Sequence, residues 1–259
     1  MSVDVSTPGA SVPVHRVRCV DWSPSAITAL ALSPVAGTES AAVGRSVLAI
    51  GRDNGNIDLC TWCEGQSGSI AQGWSPVWTL LGEENYKIES LAFTASASHL
   101  SLFSTSGGTN VSAHFMPSSL TGHHAADTRT PTRTLSSHGG AIWSMAASPT
   151  GKFLAIGCED GVVRLIDVAG DAFEHVGTGM HVAPRMTRVA SRILSLAWGP
   201  PRRQMATSND SDDDDDEAWR DTYLLGGLGN STAAVWDVPT GELMSRLTLL
   251  KNGAEHTNV

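Results

Sequence analysis

This sequence predicts an all-β fold built from one repeated, strand-only unit, and three observations carry that prediction. Between Gly140 and Val168, three apolar runs of strand length are separated by Pro149-Thr150-Gly151 and Glu159-Asp160-Gly161, residues that turn a chain between strands. Weaker copies of this pattern begin at Ile27, Ile88 and Ile193. Composition points the same way: 26 Gly and eight Trp, with only two Tyr and five Phe, suit short strands joined by tight turns. A strand-only unit recurring every 40–60 residues or so marks a β-propeller of WD-repeat type. About four blades of a seven-bladed ring are expected.

Setting Ile27, Ile88, Ile142 and Ile193 at one position aligns the elements. Each opens an inner strand that is apolar nearly throughout, as in Ile27-Thr28-Ala29-Leu30-Ala31-Leu32 and Ile193-Leu194-Ser195-Leu196-Ala197-Trp198. Such a run fits a strand covered on both faces by neighbouring blades. Second strands are predicted at Val47–Gly51, Leu100–Thr105, Phe153–Gly157 and Tyr223–Gly227, and third strands at Ile57–Trp62, Asn110–Phe115, Val162–Val168 and Thr232–Val238. The turns between them, Asp53-Asn54-Gly55, Ser106-Gly107-Gly108, Glu159-Asp160-Gly161 and Gly229-Asn230-Ser231, hold residue types that tolerate positive φ. The blades fall near 27–80, 87–135, 141–190 and 192–250, after a disordered tail at 1–13. Val14–Trp22 reads as an extra strand that closes the ring, so 14–259 forms a partial propeller that further residues would complete.

Repeat-specific side chains support the alignment. In WD repeats a His before the inner strand commonly donates to an Asp in the turn after the second strand, and His138 and Asp160 occupy those places. Trp236-Asp237 supplies the dipeptide that closes a third strand, while Trp143 and Trp198 recur in inner strands. Between its first and second strands the fourth repeat runs through 199–222, where the third needs only 148–152, and the first is lengthened there through Val35–Ser46. Insertions at one topological turn project from one rim, where partners often bind.

Charge is unevenly spread. Of the formal −9, seven charges come from Asp210, Asp212, Asp213, Asp214, Asp215, Asp216 and Glu217, within an acidic insertion near 205–219 expected to be disordered. Contiguous aspartates lack the spaced ligands and turn glycine of a calcium loop, so no metal is expected there. From His175 to Asn209 the balance reverses: there is no Asp or Glu, and Arg185, Arg188, Arg192, Arg202 and Arg203 all occur. On the blade scheme these arginines share a face and form one basic patch for RNA or an acidic partner, guanidinium being suited to phosphate. Ordinary solvated loop charge, neutralised by the adjoining acidic run, is the plainer account of the same residues.

Several function classes find no support. There is no Gly-x-Ser-x-Gly elbow, phosphate-binding Gly-rich loop with Lys-Ser/Thr, or His-Glu-x-x-His, so no catalytic residue, small-molecule substrate or cofactor is expected. Cys60 and Cys63 form one Cys-x-x-Cys pair without a second, and Cys19 and Cys158 read as small core residues. His123-His124 lies in a Gly- and Thr-rich loop without further ligands nearby. No apolar run approaches membrane-spanning length and no signal-peptide pattern opens the chain, so an intracellular protein is expected.

Particular segments resemble one family. Val14-His15-Arg16-Val17-Arg18-Cys19-Val20-Asp21-Trp22-Ser23-Pro24-Ser25-Ala26-Ile27-Thr28-Ala29-Leu30-Ala31 is similar to the opening of the cirhin family, the WD-repeat subunit called Utp-four. Leu48–Gly55, Gly140–Pro149 and Ser191–Trp198 resemble the same family in the same order. The resemblance implies the N-terminal part of a longer protein with tandem propellers. It implies a nucleolar scaffold of the small-subunit processome, bound to other WD-repeat proteins of an early subcomplex and to the 5′ external transcribed spacer of pre-ribosomal RNA. The alternative is a WD-repeat adaptor in a ubiquitin ligase or signalling assembly.

Overall fold

A computed structural model of the chain describes residues 25–34, 46–63, 73–82, 86–95, 100–115, 132–170, 172–176, 186–203 and 219–248. The tail at 1–13, Val14–Trp22, His123-His124, Arg185 and the acidic run Asp210–Glu217 lie outside these residues.

Every described element is a strand. In order these are β1 (Ile27–Leu32), β2 (Val47–Arg52), β3 (Ile57–Cys63), β4 (Gly73–Leu80), β5 (Ser90–Ala95), β6 (Leu100–Thr105), β7 (Asn110–Phe115) and β8 (Thr132–Ser136). They continue as β9 (Ile142–Ala147), β10 (Phe153–Cys158), β11 (Val163–Asp167), β12 (Glu174–His175), β13 (Ile193–Trp198), β14 (Arg202–Arg203), β15 (Trp219–Arg220), β16 (Tyr223–Leu228), β17 (Thr232–Asp237) and β18 (Leu243–Thr248). They pair into four antiparallel four-stranded meanders, β1–β4, β5–β8, β9–β12 and β13-β16-β17-β18, with β14-β15 as a separate two-stranded ribbon. The WD-repeat propeller is thus present as four blades.

Blades meet through their inner strands: β1 abuts β5, β5 abuts β9 and β9 abuts β13. Three apolar cores fill the gaps between them. Val47, Leu59 and Leu80 of the first blade pack on Leu91, Phe93 and Leu102 of the second. Phe103, Val111 and Ala113 then pack on Ile142, Leu154 and Ile166 of the third, whose Ala155, Val163 and Leu165 face Ile193, Leu224 and Trp236 of the fourth. Because each middle sheet is covered on both sides, β6 is buried along its whole length, its Ser101, Ser104 and Thr105 included.

An isoleucine at or just before the inner strand seats each junction, against a glycine at the first and third. Ile142 and Ile193 stand at the head of their strands and are almost fully buried. Ile193 presses on Gly157 of the preceding blade, so closely that a Cβ there would lie 2.7 Å from its Cγ2; Ile88 sits likewise against Gly51. A register shift at the strand head, between Ile27 and Ala29, at Gly157/Cys158 opposite Ile142, and between Ile193 and Ser195, re-aims the isoleucine toward its neighbour. Ile27 has no preceding blade among the described residues and is 56% exposed.

Candidate functional site

The strand directions define two rims. At one end of the third and fourth blades lie the starts of β9 and β13 and the turns Glu159-Asp160-Gly161 and Gly229-Asn230-Ser231. At the other lie Pro149-Thr150-Gly151, the β14-β15 ribbon and the start of β16.

Arg188 and Arg192 occupy the first rim. Arg188 donates from Nε to the Asp160 carbonyl at 2.8 Å, and Arg192 lies 4.7 Å from the Trp143 ring centroid at the head of β9. Arg202 and Arg203 form β14 at the opposite rim, where Arg202 stacks on Tyr223 at 4.7 Å. The expected single basic patch is therefore not formed. The six residues of β13 run between the two pairs, and a strand of that length separates them by about 20 Å. The segment leading into an inner strand and the turn leaving it lie at opposite ends of a blade, so the two groups cannot share a face.

The expected His138–Asp160 hydrogen bond is also absent. Arg164, on the third strand, takes the Asp160 carboxylate with both nitrogens, at 3.0 and 2.7 Å, and its Nη2 also donates to the His138 carbonyl at 3.1 Å. Burial works to raise the Asp160 carboxyl, but the Arg164 hydrogen bonds, the Val162 N–H and the Arg164 charge outweigh it and hold the group below the usual carboxylate range. His138 is exposed with φ 54°, and its ring rests 5.2 Å from that of His175. A guanidinium on the facing strand reaches the turn more directly than an imidazole held outward by its backbone.

The remaining repeat positions work as structural ties. Trp236 is fully buried and donates to the Thr187 carbonyl at 2.9 Å, fastening the loop before β13 to the third strand. Asp237 caps the next turn by accepting from the Thr240 backbone at 3.1 Å and from its hydroxyl at 2.6 Å. Trp198 donates across the blade junction to the Ala146 carbonyl at 3.0 Å. Trp143 is exposed and its indole N–H is taken by Glu159.

Three groups escaped the sequence reading. Arg246 sits on the outer strand β18, which the repeat alignment does not place, yet it reaches the first rim. There Glu159, Asp160, Arg188, Val189, Ala190, Ser191 and Arg246 line a groove of about 440 Å³ between the third and fourth blades. Buried Asp221 accepts from the Thr150 backbone at 3.3 Å and from its hydroxyl, stitching the two blades at the other rim. His114 is buried in the second blade, 2.9 Å from the Ser104 hydroxyl, and burial lowers its pKa to about 4. Cys60 and Cys158 are free, buried thiols whose pKa values are raised, foremost by burial, which leaves them poor nucleophiles.

The meanders and their radial packing define the class: this is a WD-repeat β-propeller protein. The WD domain, G-beta repeat model matches residues 129–167, which take in the outer strand of the second blade and the first three strands of the third. A chain of the Chaetomium thermophilum Polycomb Repressive Complex 2 bound to GSK126 has a similar fold, with TM-score 0.55 and 15% identity over 84% of this chain and 40% of that one.

Within the class, the resemblance to the cirhin / Utp-four family is borne out. The chain is 30% identical over 237 residues to U3 small nucleolar RNA-associated protein 4 of Schizosaccharomyces pombe, covering 90% of this chain and 27% of that protein. It is 28% identical to the Saccharomyces cerevisiae protein of that name over 252 residues, 95% of this chain and 27% of that protein. The human homolog is 42% identical over 71 residues, 27% of this chain and 9% of its own length. The chain spans about a quarter of the length of its two yeast relatives.

Proposed function

We propose that this chain is a non-catalytic scaffold of the small-subunit processome, supporting pre-ribosomal RNA processing in the nucleolus. The observation that carries this reading is the alignment of 237 residues with U3 small nucleolar RNA-associated protein 4, which runs through most of the chain. Its four blades supply what a scaffold needs: rigid sheets, each fixed by its neighbours, with loops displayed at two rims. Its partners on this reading are other WD-repeat proteins of the early subcomplex and the 5′ external transcribed spacer. Arg188 and Arg192 at one rim and Arg202 and Arg203 at the other are the contact points; Arg185 joins them by its place in the sequence.

Affinity purification of the tagged full-length protein from growing cells tests the proposal. Recovery of U3 RNA, spacer-containing precursor RNA and WD-repeat processome proteins is expected. Recovery of ubiquitin-ligase or kinase subunits without precursor RNA would overturn it.

A further inference from the structure

Apart from the processome reading, we propose that the groove between the third and fourth blades binds an acidic peptide segment of a partner protein. Its lining includes Arg188 from the loop before β13 and Arg246 from β18, with Val189 and Ala190 beside Arg188 in the same loop. Neither arginine pairs with a carboxylate among the described residues. Among the described residues Arg188 is held by one nitrogen, Nε on the Asp160 carbonyl, so its two terminal nitrogens can grip a carboxylate in the paired geometry guanidinium favours. Both acids in the groove are already engaged. Asp160 is matched by Arg164, and Glu159 accepts the Trp143 indole N–H. With Arg192 stacked on Trp143 just outside, the rim is left with uncompensated positive charge.

The same features favour peptide over RNA. A nucleic-acid backbone carries a charge at every nucleotide and cannot skip Glu159 in the lining, whereas a peptide can place single carboxylates on Arg188 and Arg246 and a neutral residue opposite Glu159. Arg192 already occupies one face of Trp143, leaving less of the ring for a base to stack on.

A photo-crosslinking residue at exposed Ala190 of the full-length protein tests this in cells. The expected adduct is a partner segment bearing at least two closely spaced Asp or Glu residues. A synthetic peptide of that segment should bind the purified protein and lose roughly tenfold or more in affinity with Arg188→Gln/Arg246→Gln, and similarly when its carboxylates become carboxamides. These exposed arginines support no core, and circular dichroism verifies folding of the variant. An adduct to RNA, to this chain's own Asp210–Glu217 run or to a segment without carboxylates would overturn the proposal. So would the absence of any adduct, or peptide binding indifferent to the arginine pair.

Discussion

Burial sets the His114 imidazole apart from one in water. Its folded pKa of about 4 lies below the ordinary value of 6.5, because burial penalises the imidazolium. Between those values the unfolded chain takes a proton that the folded chain refuses, so stability is full above pH 6.5 and falls as the pH drops toward 4. The full span is worth about 3 kcal/mol. His114→Gln should flatten the dependence of unfolding free energy on pH across this window in urea titrations; an unchanged slope would remove His114 as its source. Ser231 is another residue at odds with its setting, a non-glycine at φ 63° in the turn where Gly55, Gly107 and Gly161 serve the other blades. Ser231→Gly relieves a left-handed backbone and should stabilise by about 0.5–1 kcal/mol, read as a higher urea midpoint. The arginines separate by rim. Arg188→Glu/Arg192→Glu and Arg202→Glu/Arg203→Glu should each remove a different set of RNA or protein crosslinks, and loss of one common set by both would refute the division.

At the scale of elements, the strand heads decide how blades seat. Gly157 makes room for Ile193, and Gly157→Ala would force Ser144 and Ile193 apart at a buried junction. A cost of about 1–3 kcal/mol is expected in equilibrium unfolding, with Gly108→Ala, whose added methyl meets nothing nearby and whose backbone is not left-handed, as a control for the glycine effect alone. Much of this layer was legible in the chain. Leu100–Thr105 and Asn110–Phe115 agree with the sequence-based bounds to the residue, because the Ser106-Gly107-Gly108 turn fixes where one strand ends and the next begins. Outer strands such as β8 and β12 were not placed, since half-exposed, polar segments like Thr132–Ser136 lack that signature. The Arg164–Asp160 pair was missed for another reason. Repeat logic pointed to an imidazole, and only the facing strand reveals a guanidinium four residues beyond the aspartate. The basic patch failed on direction alone: sequence shows arginines close along the chain, while β13 carries them to opposite ends.

On the scale of the whole molecule, both terminal blades show apolar faces to solvent. Ile27, Leu30 and Leu32 are exposed on the first, and Leu194, Leu225, Met244 and Leu247 on the last. At the fourth blade Gly227 holds the place that Gly157 holds in the third, but an added Cβ there would meet only Ser195. The two faces thus copy the halves of an internal junction, and two copies of the chain can join head to tail, an arrangement that does not close. The isolated 259-residue chain should therefore self-associate with rising concentration in sedimentation velocity. Leu30→Glu/Leu32→Glu should suppress this without unfolding the sheets, and undiminished association would point to another surface.

The placement of Arg188 and Arg192 on one side and Arg202 and Arg203 on the other has a last consequence. If both rims bind, two molecules can grip the four blades from opposite sides, neither shutting the other out. Damage on one side would then loosen a single grip and leave the opposite one fast.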